Sequence, residues 1–265
     1  MSAAPGEVQA RAAATQYDAI ATQYQRSRRS PIRRFVEEPS LFNMLGDVAD
    51  LAVLDLACGE GWYSRQLRRR GARQVVGADI SAAMIDLARA QERSEPLGID
   101  YRVCDARALP VLGAFDVVCA AYLLHYARDT DELARMCRSI AGQTVPGGRL
   151  VSLNENPFQS PERYAGYLGY GFSKSVVGAR REGSPIAYAM VSGRELFRFE
   201  VYHFEPTTYE RALAEAGFVD VRWHTLVFDP AGEAGLGADY WAEYLGNPPV
   251  IGLSCRRSGG TVAGR

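Results

Sequence analysis

Lysine is almost absent from this sequence, since Lys174 is the only lysine among 30 basic residues. Arginine supplies nearly all of the positive charge, which we interpret as a coding bias rather than a surface for phosphate recognition. The formal net charge of −1 gives no overall positive field that would attract nucleic acid or an anionic membrane. The short basic runs at 33–34 and 68–70 are interpreted as solvated helix faces. We therefore predict no nucleic-acid partner.

The sequence also lacks cysteines at metal-binding or redox spacing. None of its five cysteines forms a C-x-x-C pair or a spaced set with the three histidines, so we predict no metal site. Cys104 and Cys119 lie in apolar runs, where a reduced cysteine behaves as a small core residue. This usage favours a reducing, cytoplasmic setting.

Long uninterrupted apolar segments are missing as well. Glu7, Arg11 and Asp18 interrupt the N-terminal region, so we predict neither a signal peptide nor a membrane helix. With 47% hydrophobic and 23% charged residues, the composition is that of a globular protein.

Short apolar runs alternate with amphipathic stretches through the middle of the chain. This alternation predicts βαβ units, and hence an α/β fold with a Rossmann-like, mostly parallel sheet and helices on both faces. The predicted strands span 52–57, 74–78, 99–104, 115–120 and 149–153, with a late strand over 218–224. The predicted helices span 61–70, 82–91, 131–140 and 208–216.

The same patterns predict a domain organisation. We expect a flexible arm over 1–14 and an N-terminal helical lid over 15–47, broken near Pro31 and Pro39. The main domain is expected over 48–253, with an insertion on the substrate side at 155–205 that is rich in Tyr, Phe and Gly. A flexible tail is expected over 254–265.

The run VLDLACGEGW at 53–62 ends the first predicted strand and enters a helix. Gly59 and Gly61 permit positive φ and let a ligand approach the backbone, and the helix N-terminus offers unpaired N–H groups to an anion. We predict that Asp55 organises this loop and receives an ammonium group, and that Ala57 also contacts the ligand. The dinucleotide-binding fingerprint has a third glycine at the position that Ser64 occupies here, and it assigns no role to an acid at the position of Asp55. The loop therefore departs from that fingerprint at two positions.

Two further acids follow the next predicted strands. Asp79 can accept both hydroxyls of a ribose, with Ile80 and Met84 predicted against the adenine face. After the third strand, Asp105 can accept a hydrogen bond from the adenine amino group, and Cys104 and Ala106 are assigned to the same site. Asp79 alone fits both NAD and S-adenosylmethionine, whereas three acids at three successive strand ends favour S-adenosylmethionine.

The fourth predicted strand runs into two small residues, Ala120 and Ala121, which are predicted to let the chain pass near the sulfonium centre, and Ala120 is assigned to the cofactor site. Taken in order and spacing, 55–61, Asp79, Asp105 and 115–126 resemble the class I S-adenosylmethionine-dependent methyltransferases over roughly 50–155. The resemblance implies their Rossmann-like fold and S-adenosylmethionine as the cofactor.

A narrower resemblance rests on short motifs outside this core. The runs 17–20 with Tyr24, 153–157 and 203–209 resemble toxoflavin synthase-like methyltransferases. That resemblance implies alkylation of nitrogen or carbon on aromatic heterocycles in secondary metabolism. It also implies that Tyr17 and Tyr24 form a lid over the cofactor.

Three residues are candidates for catalysis. Methyl transfer from a sulfonium needs an in-line nucleophile, and a base only where the attacking atom must first lose a proton. Glu155 follows the fifth strand and can accept a proton or hold a ring N–H. His125 follows the fourth strand at the ligand-binding edge, and Tyr24 can hydrogen-bond or stack on substrate. For each, a structural role is the alternative.

Aromatic side chains suit a flat acceptor, so we predict substrate contacts from Tyr122, Tyr164 and Tyr188, and from His203. The prediction is transfer of a methyl group to nitrogen or carbon of a small aromatic heterocycle, such as an indole- or pteridine-like metabolite. O-methylation of a phenol or quinone precursor, an NAD-dependent oxidoreductase and an inactive cofactor-binding protein remain alternatives. No membrane partner is expected, and a homodimer is left open.

Overall fold

The computed structural model describes residues 30–192 and 195–259. Within these ranges, the strands are β1 Ala52–Leu56, β2 Gln74–Asp79, β3 Asp100–Val103, β4 Phe115–Ala121, β5 Thr144–Glu155, β6 Phe172–Val176, β7 Pro185–Ser192, β8 Glu195–Tyr202, β9 Phe218–His224 and β10 Val250–Arg257. The α-helices are α1 Glu38–Leu45, α2 Trp62–Arg69, α3 Ala82–Ser94, α4 Thr130–Gln143, α5 Pro206–Glu215, α6 Glu233–Leu236 and α7 Ala238–Gly246.

The main sheet has seven strands in the order β3-β2-β1-β4-β5-β10-β9. Strands β1 to β5 are parallel, and β10 runs antiparallel to both β5 and β9. The register sets Asp55 opposite both Gly77 and Cys119, so the carboxyl ends of the central strands share one edge. Ligands bind at this edge in open α/β sheets. The predicted mostly parallel, Rossmann-like sheet is confirmed.

Apolar side chains cover both faces of this sheet, as a doubly covered parallel sheet requires. Helices α1, α2 and α3 pack on one face through Leu41, Leu67 and Ile85, among others. Helices α4 and α5 pack on the other through residues such as Ile140 and Leu213. The fully buried β1 lies between the two layers.

The residues between β5 and α5 fold into a second sheet of three antiparallel strands, β6-β7-β8. This segment lies within the range predicted as an insertion. Its inner face packs with α7 and with the helical turns before α1, where Tyr188 and Trp241 share one apolar cluster. The second sheet is therefore attached to the carboxyl edge of the main sheet.

Two predictions about the ends of the chain are wrong. The tail expected from 254 does not begin there, because Val250–Arg257 forms β10 in the main sheet. Leu253 and Cys255 alternate inward on that strand, a period of two that the polar residues around them obscured.

The break expected near Pro39 is also absent, since helical backbone runs without interruption from 31 to 45. Arg33–Glu37 forms a π-helical turn directly before α1. A proline cannot donate to the carbonyl four residues earlier and would clash with it in a regular α-helix. That carbonyl, on Phe35, instead accepts the N–H of Asp229 at 2.8 Å. The widened turn accommodates Pro39 without ending the helix.

Candidate active site

The loop between β1 and α2 follows a left-handed path. Ala57, Gly59 and Gly61 have φ angles of 56°, 57° and 84°, a region that glycine enters without steric cost. The N–H of Gly59 donates to the Asp79 carboxylate at 2.9 Å, which ties the loop to β2. Ala57 and Gly59 face a pocket, but Gly61 does not. A Cβ on Gly61 would overlap the Tyr101 hydroxyl, so this glycine allows close packing, and the ligand contact expected for it is not supported.

Asp55 is 1% exposed and accepts the Ser64 hydroxyl at 2.6 Å. This contact joins the end of β1 to the first turn of α2, in agreement with the loop-organising role predicted for the acid. Asp55 does not line the pocket. Its contact with an ammonium group remains a prediction.

A pocket opens at the carboxyl ends of β1 to β4, and we call it the strand-end pocket. Eight of the predicted cofactor residues line it, namely Ala57, Gly59, Asp79, Ile80, Met84, Cys104, Asp105 and Ala106. Asp79 also accepts the Ser81 N–H at 2.9 Å, and Ser81 caps α3 by accepting the Met84 N–H. A carboxylate has about four acceptor positions, so this rigidly held acid suits a vicinal diol.

The far end of the strand-end pocket is ionic. Arg107 binds the Asp105 carboxylate and the Glu132 carboxylate, each at 2.8 Å. Burial by itself would raise the pKa of Asp105, but the hydrogen bonds from Arg107 outweigh it and lower that pKa. Asp105 is therefore a carboxylate at neutral pH, but Arg107 already donates to both of its oxygens, so its hydrogen bond from an adenine amino group remains a prediction. Arg107 belongs to the same sequence motif as Asp105, but the motif does not by itself indicate that its side chain reaches the site.

The end of β4 differs from the prediction by one residue. Ala120 is fully buried in the core below α4 and does not line the pocket, whereas Ala121 does. Side chains alternate across a strand, so a shift of one residue changes the face. The next residue, Tyr122, has a φ of 63°, an outlier for a bulky side chain. Such strain is typical of functional sites.

A second cavity, the aromatic pocket, adjoins the strand-end pocket beneath the small sheet. Seven aromatic residues line it: Tyr122, Tyr126, Tyr170, Phe172, Tyr188, Phe199 and Tyr244. Besides the tyrosine hydroxyls, its polar groups belong to Ser30, Arg33, Glu37, His125 and Glu155. Tyr122 and Tyr126 line both pockets, so the two cavities share a wall.

Strand β8 also serves both cavities. Glu200 and Tyr202 line the strand-end pocket, whereas Phe199 and Val201 line the aromatic pocket. This is the period of two expected of a strand that separates two spaces. The sequence analysis missed the contacts of β8 with both pockets, because strand pairing in the small sheet was not predicted.

Glu155 lies at the base of the aromatic pocket and is already bound on two sides. Lys174 forms a buried ion pair with it, and the Tyr188 hydroxyl donates to it at 2.5 Å. The Lys174 ammonium also donates to Gln159 at 2.5 Å and lies 4.0 Å from the centre of the Tyr164 ring. The only lysine of the chain thus anchors the predicted catalytic carboxylate.

His125 is 3% exposed, and its Nδ1 accepts the backbone N–H of Glu155 at 2.9 Å. Burial, and then the charge of Lys174, lower the pKa of His125 to about 3. The ring is therefore neutral at physiological pH with its proton on Nε2. A neutral ring of this kind can donate a hydrogen bond into the pocket, and its proposed role in proton transfer stays a prediction.

Two of the predicted substrate residues do not reach either pocket. Tyr164 packs against Lys174 and accepts Arg180 at 3.2 Å, outside the cavity lining. His203 is buried and contacts Glu205 at 3.1 Å, so its predicted contact with substrate is not supported. Tyr188 and Tyr122 do line the aromatic pocket. The lid residues Tyr17 and Tyr24 lie outside the described residues.

Arg33 and Glu37 were missed by the sequence analysis. The run at 33–34 was interpreted as a solvated helix face, yet Arg33 lines the aromatic pocket with Glu37. Both sit on the π-helical turn. Helical periodicity of 3.6 does not reveal which side chains such a turn directs inward, so no pattern in the sequence indicated them.

Comparison with known proteins identifies the family. A model described as a methyltransferase domain matches residues 53–148. N-demethylindolmycin N-methyltransferase from Streptomyces griseus is 32% identical over 181 residues, which are 68% of this chain and 74% of the relative. The chain belongs to the class I S-adenosylmethionine-dependent methyltransferases. The narrower resemblance to toxoflavin synthase-like enzymes remains a prediction.

Other methyltransferases agree with this membership. A ubiquinone/menaquinone biosynthesis C-methyltransferase from Desulfotalea psychrophila is 31% identical over 205 residues, 76% of each chain. The crystal structure of an S-adenosylmethionine-dependent methyltransferase from Mesorhizobium loti superposes with a TM-score of 0.61 at 25% identity, covering 87% of this chain and all of the other. The oxidoreductase alternative is set aside.

The residues of the strand-end pocket fit S-adenosylmethionine, the cofactor of this methyltransferase. Asp79 offers acceptors for a diol, Asp105 lines the end of the pocket where an amino group is expected, and Ile80 and Met84 offer apolar surface for a flat base. Among the described residues no three His, Cys, Asp or Glu side chains cluster as metal ligands. No helix in the described ranges has the length and apolar character to cross a membrane.

Proposed function

We propose that this methyltransferase transfers the methyl group of S-adenosylmethionine to a nitrogen or carbon atom, with nitrogen favoured, of a small aromatic heterocycle. The observation that carries the proposal is the wall shared by the two pockets. Tyr122 and Tyr126 border a space lined by seven aromatic rings on one side and the strand-end pocket on the other. A flat acceptor bound among those rings would approach the cofactor at this wall.

The chemistry needs little more than positioning. When bound, S-adenosylmethionine supplies an electrophilic methyl group on a sulfonium. Direct displacement requires the acceptor atom in line with that group, and exclusion of water accelerates it. The rings of the aromatic pocket can hold the plane of the acceptor, and the neutral His125 can donate a hydrogen bond that orients it.

The preference for nitrogen has support from one relative. The protein from Streptomyces griseus is named as an N-methyltransferase of N-demethylindolmycin, and its similarity extends over 68% of this chain. The relative from Desulfotalea psychrophila is named as a C-methyltransferase of quinone biosynthesis. Methylation of a quinone precursor is therefore the second candidate.

The test is a product analysis with a cofactor-site control. Purified protein is incubated with isotopically labelled methyl donor and a panel of indoles, aminated azoles, pteridines and hydroquinones, and the methylated atom is found by NMR. We expect N-methyl or C-methyl products from heterocycles. Methylation of hydroquinones alone would overturn the proposal, as would absence of product from every heterocycle while S-adenosylhomocysteine still binds.

Asp79→Asn provides the control for cofactor binding. Loss of charged hydrogen bonds costs roughly 1.5–3 kcal/mol, so we expect affinity for S-adenosylhomocysteine to fall about 10- to 100-fold in isothermal titration. Asp86→Asn is the matched variant, because Asp86 is 77% exposed on α3 and lies outside the pocket lining. Equal affinities in the two variants would contradict the cofactor role assigned to Asp79.

A further inference from the structure

Glu37 is a buried carboxylate whose hydrogen-bonding capacity is not filled. It is 8% exposed and lines the aromatic pocket. Within the described part of the chain its Oε2 has no hydrogen-bond partner. The cation beside it is Arg33, whose Nε lies 3.8 Å from that oxygen, beyond hydrogen-bond distance.

The hydroxyl of Tyr122 is a second buried polar group whose hydrogen-bonding capacity is not filled. It is buried in the wall between the two pockets, and it too has no hydrogen-bond partner among the described residues. Burial, followed by the negative charge of Glu37, raises the pKa of Tyr122 well above its ordinary value. The phenol therefore keeps its proton, and its oxygen can still accept a hydrogen bond.

Glu155, the other carboxylate of this pocket, also has one oxygen, Oε1, without a hydrogen-bond partner in the described ranges, but the Lys174 ammonium lies in direct contact with that oxygen. It is bound by Lys174 and by the Tyr188 hydroxyl. Within the described ranges the Oε2 of Glu37 has no hydrogen-bond partner and lies 3.8 Å from its cation, Arg33, although the large majority of buried polar side-chain atoms in proteins are hydrogen-bonded. A group left in this state in a cavity is best explained by a ligand that completes its hydrogen bonds.

We propose that Glu37 determines specificity by accepting a hydrogen bond from an amino group on the heterocyclic acceptor. This inference rests on the proposed function and names the acceptor class more closely. An exocyclic amino group has two N–H donors, one for Glu37 and one for the Tyr122 oxygen. The surrounding rings pack against the plane of the heterocycle, and Arg33 offsets the charge of the carboxylate.

The test compares two probes that differ by one group, 2-aminobenzimidazole and 2-methylbenzimidazole. Their affinities for protein saturated with S-adenosylhomocysteine are measured by isothermal titration. We expect the aminated probe to bind at least 10-fold more tightly to the natural protein. Glu37→Gln should reduce that preference at least 10-fold and leave the affinity for S-adenosylhomocysteine unchanged.

Glu38→Gln is the matched control. Glu38 is the adjacent carboxylate, it accepts the Trp62 indole N–H at 3.3 Å, and it does not line the pocket. The preference should survive in this variant. Circular dichroism melting of both variants checks that they fold alike. The inference is overturned if Glu37→Gln keeps the full preference, or if the natural protein binds the two probes equally or binds neither.

Failure of the inference about Glu37 can be distinguished from failure of the proposed function. If the protein methylates heterocycles and Glu37→Gln keeps the same preference for aminated probes, only the inference about Glu37 fails. If the aminated probe binds through Glu37 and heterocycles are never methylated, the proposed function fails and the binding site stands.

Discussion

At the scale of single residues, burial decides the chemical state of His125. The ring is buried from solvent, and its Nδ1 accepts the Glu155 N–H. Burial and the nearby charge of Lys174 lower the pKa to about 3, so the folded protein resists protonation of this ring. The unfolded chain, with a histidine pKa near 6.5, does not.

This difference predicts a loss of stability in acid. Between pH 6.5 and 3 the unfolded chain binds one more proton at His125 than the folded chain, so stability is fully present above 6.5 and falls as the pH is lowered. We expect His125 to account for a decrease of about 1.4 kcal/mol in the free energy of unfolding between about pH 7.5 and 5.5. Urea unfolding at both pH values measures it.

His125→Asn isolates the contribution, because its side-chain oxygen can replace Nδ1 as the acceptor and does not titrate. The decrease should be about 1.4 kcal/mol smaller in this variant. His224→Asn should reduce the pH dependence of stability by a smaller amount, because His224 is only half-buried. An unchanged pH dependence in His125→Asn would contradict the depressed pKa.

The sequence predicted which residues reach the pocket when they directly follow a strand end. It did not predict which of two neighbouring residues on a strand faces the pocket. Asp79 and Asp105 reach the strand-end pocket because every parallel strand delivers its carboxyl end to the same edge. Ala120 and Ala121 are both small, and no property of the sequence distinguishes which faces the ligand. His203 was predicted from its place in the aromatic insertion and lies outside both pockets.

At the scale of elements, the π-helical turn before α1 shows how a local irregularity supports a site. The Val227 N–H donates to the Ser40 hydroxyl at 2.7 Å, and that hydroxyl donates to the Val36 carbonyl at 2.5 Å. Together with the bond from Asp229 to Phe35, these contacts attach the loop after β9 to the turn that carries Glu37. A proline in the sequence predicted a break here, whereas tertiary hydrogen bonds produced a continuous helix.

Ser40→Ala tests this attachment. The Val227 N–H would lose a part-buried hydrogen bond, and such a bond contributes roughly 0.5–1.5 kcal/mol to stability. We expect the free energy of unfolding to fall by about that amount in urea titration. Ser94→Ala is the control, since the exposed Ser94 hydroxyl donates to the Gln91 carbonyl of its own helix, α3, and connects no second element. Equal effects of the two changes would show that the loop is held by other contacts.

At the scale of the whole molecule, one buried ion pair joins the two sheets. Glu155 ends β5 of the main sheet, and Lys174 belongs to β6 of the small sheet. The order of the main sheet follows from alternation and short connections, which the sequence displays. The ion pair to the small sheet joins residues 155 and 174, which are 19 positions apart, and no local pattern in the sequence encodes it.

Lys174→Met should therefore lower the stability of the whole molecule. Its side chain is 0% exposed, and removing one partner of a buried pair leaves an uncompensated charge at a cost of about 3–5 kcal/mol. We expect the free energy of unfolding to fall by that amount in urea titration. Arg102→Met, which removes an exposed pair with Asp100, should cost less than about 1 kcal/mol.

The double variant Lys174→Met with Glu155→Gln separates an electrostatic cause from a packing cause. The glutamine side chain keeps an acceptor for the Tyr188 hydroxyl and carries no charge, so the uncompensated charge disappears. If the pair holds the sheets together by mutual neutralisation, the double variant should recover at least half of the stability that the single variant loses, because a buried pair is worth little against a neutral replacement. If both lose the same stability, methionine fits the space of Lys174 poorly and the ion pair is incidental to the junction of the sheets.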